Sequence, residues 1–248
     1  MEFILGFLIA CAVGLTGVGA GSITAPVLIL FFHLEPSVAV GTALSFSAAI
    51  KFAVLPLYLK RRQVDSRILR LLCVGGFPGV LFGVHVLSQL GTSHHEQGIF
   101  LLLGTTIFIA SMGSLYRTIR NRLTSSHTDR ARWLPPIAAL IGGEVGFSSA
   151  GAGALGALVL LNLTKLTPAQ VIGTDMVFGF TLSLIGGGLH LFAGQYDLPI
   201  LIKLVTGGVI GALSGALLSS VIPARPLRLL LSVWLAILGL QLCWKSMG

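Results

Sequence analysis

Two glycine-rich stretches interrupt long apolar runs and constrain what this chain can fold into. Residues 14 to 21 read GLTGVGAG, and residues 146 to 153 read GFSSAGAG. As one helix, the run from residue 3 to 33 would be roughly 46 Å long, against a hydrocarbon core of about 30 Å. Each run is therefore predicted to form two half-length helices that meet at the glycines. At membrane depth, the backbone groups freed by such a break are tolerated only where protein or a water-filled cavity covers them.

Composition places the chain in a membrane. Of its 248 residues, 54% are hydrophobic and 10% are charged, and the mean hydropathy is +0.95, whereas soluble domains carry about a quarter charged residues. The apolar residues fall into eight segments, at 3–33, 38–59, 68–90, 98–116, 134–163, 169–193, 198–222 and 226–244. We expect an all-α polytopic protein of the cell membrane, embedded in the lipid bilayer. The net charge of +8 lies mostly in two short loops, so it indicates membrane orientation and not binding of nucleic acid.

The chain is also internally duplicated. A shift of 132 residues aligns residues 14 to about 88 with the second half without a gap. The matches include the glycines at 19–21 and 151–153, Gly41 and Thr42 with Gly173 and Thr174, and Gln63 and Asp65 with Gln195 and Asp197. We predict a first transmembrane repeat at residues 1–116, a basic cytoplasmic linker at 117–133 and a second repeat at 134–248. Each repeat has four apolar segments and begins with a glycine-broken or re-entrant helix.

Loop charges predict that the two repeats are inverted. The loop at 60–70 carries five Lys or Arg residues, while its counterpart at 193–203 carries only Lys203. Homologous loops of opposite bias are expected on opposite sides of the membrane, as in many secondary transporters. Each half then needs an odd number of crossings, which requires the broken segment to be a re-entrant hairpin or two short crossings. Eight conventional crossings with parallel repeats are the alternative.

These residues carry a family resemblance. GLTGVGAGSITAPVLIL, followed by EPSVAVGTALSF and the basic KRRQVD loop, resembles the first repeat of the TauE/SafE sulfite exporter family. The second half repeats the pattern more loosely, and the resemblance covers nearly the whole chain. It implies a multi-pass carrier that moves a sulfur-containing anion such as sulfite, thiosulfate or an organosulfonate, coupled to the proton gradient. The motifs identify the family and not the substrate.

The residues also point to an anion independently. A half-helix that starts after Gly21 or Gly153 would aim free N–H groups and its positive dipole end at a cavity between the repeats. We predict substrate contacts at Gly19, Gly21, Ser22, Thr42, Lys51, Gly151, Gly153 and Thr174. Close helix packing is the alternative for these glycines, and helix-to-helix hydrogen bonding for the two threonines. Glycines 75, 79, 83, 207, 211 and 215, at four-residue spacing, predict a packing face.

Three ionisable residues lie inside apolar segments, where a charge is costly. They are Lys51, Glu144 and Asp175. The row Ala43, Ser47, Lys51 is the repeat equivalent of the row Asp175, Gly179, Ser183, and a two-fold axis in the membrane plane would bring the two rows together. We predict that Lys51 attracts the anion and that Asp175 takes up the coupling proton, with Glu144 as a second candidate near a polar mouth. A Lys51–Asp175 ion pair that only fixes packing is the alternative.

Other functional classes have less support. His33, His85 and His190 lie near segment ends and are predicted to be interfacial. No Ser/His/Asp set, metal-ligand cluster or nucleotide-binding loop stands out, so we expect no enzyme activity, metal or cofactor. An anion channel, a carrier of a non-sulfur organic anion and a non-transporting scaffold stay as alternatives. The sequence leaves open both the direction of transport and whether the chain forms a homo-oligomer.

Overall fold

The computed structural model describes residues 2–16, 19–92, 96–120, 131–150, 155–218 and 224–245, and these ranges contain helices and no strand. The helices are α1 Glu2–Thr16, α2 Ala20–Phe31, α3 Pro36–Lys60, α4 Ser66–Thr92, α5 Glu96–Arg120, α6 Leu134–Ser148, α7 Leu155–Leu163, α8 Pro168–Phe192, α9 Leu198–Leu218 and α10 Ala224–Lys245, with a 3₁₀ turn at Ala131–Trp133. Five of them are long and apolar enough to cross a membrane, namely α3, α4, α5, α8 and α9. The chain is therefore all-helical and polytopic, as predicted.

Both long apolar runs are broken at the predicted positions. In the first, α1 ends at Thr16, and Gly19 precedes α2 in an extended conformation with φ −62° and ψ 127°. In the second, α6 ends at Ser148, and Ser149 has the left-handed φ of 61°, which turns the chain out of the helix. Helix α7 begins at Leu155, so the prediction of two half-length helices in each run is confirmed. Gly151 and Gly153 lie outside the described residues.

The first helix of each broken segment packs on a long helix of the opposite half. Helix α1 of the first half packs on α9 of the second, and α6, the equivalent of α1, packs on α4, the equivalent of α9. Each pair is parallel, because glycines spaced four apart meet carbonyl groups that advance in the same direction. Gly75, Gly79 and Gly83 face the carbonyls of Pro135, Ala139 and Gly143, and Gly207, Gly211 and Gly215 face those of Phe3, Phe7 and Cys11. A Cβ atom at any of the six would overlap its carbonyl, so the predicted packing face is confirmed.

Helices α3 and α8 are equivalent and pack antiparallel along their length. Gly41, near the start of α3, packs on the carbonyl of Gln195 just beyond the end of α8. Gly173, near the start of α8, packs in the same way on Gln63 beyond the end of α3. The equivalent helices α5 and α10 are antiparallel as well, since Gly104 meets Gly239 while the Ser114 and Ser232 hydroxyls lie 2.9 Å apart.

The first broken segment begins and ends at the same end of the bundle. Glu2 forms an ion pair of 3.6 Å with Lys203, in the second turn of α9. The other end of the segment leads through residues 32–35 into α3, whose start packs against Gln195, three residues before α9. The second broken segment likewise leads into the start of α8, which packs against Gln63 at the end where α4 begins.

The outer surface is apolar, as lipid requires. Large side chains such as Phe52, Phe82, Ile109, Leu140 and Phe192 are exposed on the long helices. The core contains small and branched residues together with two phenylalanines, Phe46 and Phe178, that are fully buried. These two are repeat equivalents, and each packs against a glycine of the opposite half, Gly208 or Gly76.

We predict that Gly79→Ala lowers stability because its new Cβ would overlap the backbone carbonyl of Ala139. Backbone cannot move aside as a flexible side chain does, so we expect a loss of about 1–3 kcal/mol, typical of overpacking. Thermal unfolding of the detergent-solubilised chain measures it. Gly188→Ala is the matched control, because a Cβ there meets nothing within 4 Å. Equal unfolding temperatures for the two variants would contradict close packing at Gly79.

Candidate functional site

The two helix breaks touch each other. The Ser149 hydroxyl, from the second break, donates a hydrogen bond of 2.8 Å to the backbone carbonyl of Gly21 in the first turn of α2. A Cβ on Gly21 would lie 2.5 Å from the Ser149 carbonyl oxygen, so only glycine allows this approach. Ser149 reaches this position because its left-handed backbone ends α6 there. The two breaks are thus in direct contact.

The first turn of α2 is buried and polar. Gly21 and Ser22 are buried, and the Ser22 hydroxyl donates to the Gly19 carbonyl at 2.6 Å. The first N–H groups of a helix have no intrahelical acceptor, and the helix dipole places partial positive charge there. An oxyanion is the ligand that such a turn favours.

A small cleft lies beside this turn. Ser22 and Ala150, one from each break, line it together with Ser111 and Ser114 of α5, and apolar residues of α5 and α10 close it. Its volume is about 10 Å³, the space of a single water. Sequence reasoning missed Ser111 and Ser114, since α5 lies beyond the aligned part of the repeat. The spacing of Ser111 and Ser114, which puts both hydroxyls on one face of α5, was the signal that could have indicated them.

Lys51 lies at the crossing of α3 and α8. Its side chain is only 5% exposed, and Nζ donates a hydrogen bond of 3.3 Å to Ser183 Oγ. Ser183 Oγ in turn donates to Ser47 Oγ at 3.3 Å. The two equivalent rows of the sequence therefore meet, with Lys51 bound to its own repeat equivalent. Lys51 does not line the cleft at the helix breaks.

Asp175 is a residue of α8 and faces the first turn of α7. Its carboxylate Oδ1 packs against Gly156, where a Cβ would overlap it, and its charge attracts that of Lys51. Asp175 is 5% exposed. The start of a helix favours a negative charge, so the position suits an ionised carboxylate. The repeat equivalent of Asp175 is Ala43, and this carboxylate therefore has no counterpart in the first half.

Thr42 and Thr174 hold loops of the opposite half. Thr42 Oγ1 accepts a hydrogen bond of 3.0 Å from the Asp197 backbone N–H, and Thr174 Oγ1 accepts one of 3.0 Å from that of Asp65. Both threonines are fully buried. Helix-to-helix hydrogen bonding was the alternative to substrate binding for these two threonines. The observed bonds are similar to it, although each joins a helix to the loop before another helix.

The remaining ionisable candidates are Glu144 and three histidines. Glu144 of α6 is partly buried, and its Oε1 forms no hydrogen bond within the described residues. His33 and His85 are exposed, and their position at the membrane interface stays a prediction. His190, also predicted to be interfacial, lies near the end of α8 and is fully buried there because α8 packs against Gly41 of α3. No group of three potential metal ligands occurs in the part of the chain that the structure describes.

Comparison with known proteins agrees with this architecture. The family described as "Sulfite exporter TauE/SafE" matches residues 2–242. The "Probable membrane transporter protein YjnA" of Bacillus subtilis (strain 168) is 27% identical, with 96% of this chain and 97% of that protein covered. YdhB of the same strain, also named a probable membrane transporter protein, is 27% identical over 95% and 96% of the two chains. The probable membrane transporter protein y4hK of Sinorhizobium fredii is 31% identical over 82% and 81%.

No solved structure matches the chain. The family match spans both repeats and both helix breaks, and five helices are suited to cross a bilayer. The relatives are named as membrane transporters and not as enzymes. The chain belongs to the TauE/SafE sulfite exporter family of membrane transporters and is a multi-pass protein of the cell membrane.

Proposed function

We propose that the chain is a secondary transporter that carries a small anion through a site formed where its two helix breaks meet. The observation that carries the proposal is the hydrogen bond from Ser149 to the Gly21 carbonyl, which joins the breaks. Irregular backbone at membrane depth belongs where it lines a cavity, and broken helices of this kind form the substrate sites of many transporters. Gly19, Gly21 and Ser22 would contact the anion from the first half, and Gly151 and Gly153 from the second.

The substrate class follows from charge and family. N–H groups of the first turn of α2 are hydrogen-bond donors suited to an oxyanion, and the hydroxyls of Ser22, Ser111 and Ser114 line the cleft beside them. The family description favours a sulfur oxyanion, so sulfite, thiosulfate or an organosulfonate is the proposed cargo. An anion channel, or a carrier of a non-sulfur organic anion, would use the same donors and is distinguished below by experiment.

The proposed topology has inverted repeats, with re-entrant broken segments and three crossings in each half. Support comes from the antiparallel packing of the equivalent helices α3 and α8, which a two-fold axis across the helix direction would produce. The first broken segment begins and ends at the same end of the bundle, which supports re-entry. The halves are residues 1–116 and 134–248, and the basic segment between them is cytoplasmic under the positive-inside rule.

Lys51 and Asp175 are the proposed coupling pair. Lys51 holds a positive charge at membrane depth, where its cost is offset by a nearby anion. When a substrate anion displaces Asp175 from the field of Lys51, the carboxyl loses a cation and gains an anion nearby, and both changes favour its protonated form. One local exchange would then link anion occupancy to proton occupancy. Glu144, whose buried Oε1 has no hydrogen-bond partner in the described part of the chain, is the second candidate carboxyl.

The test of the function is anion flux into proteoliposomes that contain the purified chain. Sulfite, thiosulfate, a sulfonate and a carboxylate are compared with and without a pH gradient. We expect saturable uptake of at least one sulfur oxyanion that the gradient stimulates. Flux that rises linearly with concentration and ignores the gradient would favour a channel, and preference for the carboxylate would favour a different cargo.

The same assay tests the site through Gly21→Ala. Because the new Cβ would overlap the Ser149 carbonyl, we expect the breaks to separate and flux to fall at least about tenfold, the effect of about 1.4 kcal/mol. The variant should still fold in the membrane. Gly188→Ala is again the control, as its Cβ enters open space. Wild-type flux from a stable Gly21→Ala protein would remove the break from the mechanism.

The topology prediction uses the exposed equivalents Arg61 and Ala193. In a cysteine-free background, Arg61→Cys should react with a membrane-impermeant thiol reagent only from the cytoplasmic side. Ala193→Cys should react only from the exterior. Inverted repeats require this difference, because positions 132 residues apart would lie on opposite sides. Reaction of both from one side would rule the inverted arrangement out.

The coupling prediction compares two single variants with their double variant. Asp175→Asn should retain anion exchange and lose stimulation by the pH gradient, because an amide cannot carry the proton. Lys51→Ala should lose anion binding. If the pair serves packing alone, each single variant is unstable and the double variant Lys51→Ala with Asp175→Asn regains stability and flux. Thermal unfolding and pH-driven flux of the three proteins separate these outcomes.

A further inference from the structure

One end of the helical bundle carries exposed cations to which the proposed transport step gives no role. Around the loop between α3 and α4 they are Lys60, Arg61, Arg62, Arg67 and Arg70. Arg132, just before α6, and Lys165, just before α8, are exposed as well. We refer to these residues as the basic rim. They come from separate parts of the sequence, and the fold brings them to the same end.

Contacts between helices place the basic rim at one end of the bundle. The Asp65 N–H donates to the Thr174 hydroxyl of α8, so the start of α8 lies beside the loop between α3 and α4. Lys165 precedes that start by three residues. Gly75 of α4 packs on the start of α6, and the two helices are parallel. Arg132, two residues before α6, therefore lies beside the first turns of α4.

Within the described residues, no member of the basic rim forms an ion pair. Asp65, the acidic residue of this loop, accepts hydrogen bonds from the backbone N–H groups of Arg67 and Ile68 and so caps the start of α4. At the opposite end of the bundle, by contrast, Lys203 is paired with Glu2. The positive charges of the basic rim repel one another, and an anion from outside the chain would relieve that repulsion.

The internal repeat shows that the fold does not need these cations. The equivalents of the five residues around the loop between α3 and α4 are uncharged, namely Phe192, Ala193, Gly194, Pro199 and Ile202. The local structure is nevertheless the same, since Asp197 caps α9 as Asp65 caps α4. Arg62 has a left-handed φ of 52° and its equivalent Gly194 one of 71°. Glycine adopts this conformation without steric strain, yet the first half has an arginine there. Cations at these positions therefore point to a partner outside the chain.

We propose that the basic rim binds the phosphate headgroups of anionic phospholipids. Guanidinium groups bind phosphate oxygens through paired hydrogen bonds, and clusters of Lys and Arg beside membrane-spanning helices attract anionic lipid. Leu59 and Val74, exposed next to the basic rim, contact the acyl chains of the same lipids. The positive-inside rule acts while a chain inserts, whereas this binding acts on the finished protein. It requires only the bilayer and does not rest on the proposed transport function.

Quenching of tryptophan fluorescence by brominated lipids tests where anionic lipid gathers. Trp133, exposed beside Arg132, is the reporter at the basic rim. Trp244 is exposed near the end of α10, which is antiparallel to α5, and so reports on the opposite end of the bundle. Each is kept as the single tryptophan of a purified protein, with phenylalanine at the other two positions.

Both proteins are placed in vesicles of phosphatidylcholine and phosphatidylglycerol in equal amounts, with bromine on one lipid or the other. We expect the ratio of quenching by the phosphatidylglycerol to quenching by the phosphatidylcholine to be at least about twofold higher at Trp133 than at Trp244. High salt screens exposed charges and should remove the difference. Equal ratios at the two reporters overturn the proposal, and so does a difference that high salt leaves unchanged.

A variant that borrows residues from the second repeat tests the basic rim itself. Arg61→Ala, Arg62→Gly and Arg70→Ile together replace three cations by their own equivalents, which the same backbone carries in the other half. We expect the quenching ratio at Trp133 to fall to that at Trp244. Lys203→Gln, which removes a cation at the opposite end, is the control and should leave the ratio at Trp133 unchanged.

A full preference for phosphatidylglycerol in the triple variant overturns the proposal. Loss of the preference in Lys203→Gln does so too, because it would assign the effect to the net charge of the whole chain. Thermal unfolding in phosphatidylcholine alone shows whether the triple variant folds. If it does not, the comparison of Trp133 with Trp244 at low and high salt decides, since both of those proteins keep every cation of the basic rim.

Discussion

A broken helix at membrane depth leaves backbone N–H and C=O groups that lipid cannot satisfy, so another part of the protein must cover them. Here each half supplies one such break, and the two breaks contact each other through Ser149 and Gly21. This requirement explains why the halves interlock and do not stand side by side. A polar site buried between them is a direct consequence, because neither half can fold its break against lipid alone.

The interlocking depends on backbones that approach closely. Without water between them, membrane helices gain little from apolar contact alone, and small residues allow the backbone approach that stabilises them. Glycines at every fourth position of α4 and α9 let α6 and α1 lie directly on them. These parallel pairs anchor the first half of each broken segment to the opposite repeat. The ends of α1 and α6 are thereby held near the middle of the bundle, where the breaks meet.

The fold could be predicted from sequence where one rule dominates. Helix length against bilayer thickness gave the breaks, and the ungapped repeat gave equivalent contacts such as Lys51 with Ser183. The direction of side chains was harder, since Thr42 and Thr174 recur beside glycines but bond the backbone of Asp197 and Asp65. Ser111 and Ser114 lie in a helix without a repeat signal. The burial of His190 depends on how α3 crosses α8, which no local pattern encodes.

The ionisable residues break the symmetry that the glycines establish. The repeat equivalent of Lys51 is Ser183, that of Glu144 is Ala12, that of Asp175 is Ala43 and that of His190 is Tyr58. A charge at membrane depth is costly, and the equivalents of the two carboxylates, Ala12 and Ala43, show that packing there is possible without one. Two equivalent breaks suffice to build a path that looks the same from both sides of the membrane. Coupling to a proton gradient, by contrast, needs a group that can take up a proton. A buried ionisable residue that packing does not require is a functional candidate by default, which is why Lys51, Glu144 and Asp175 are the candidates for that role.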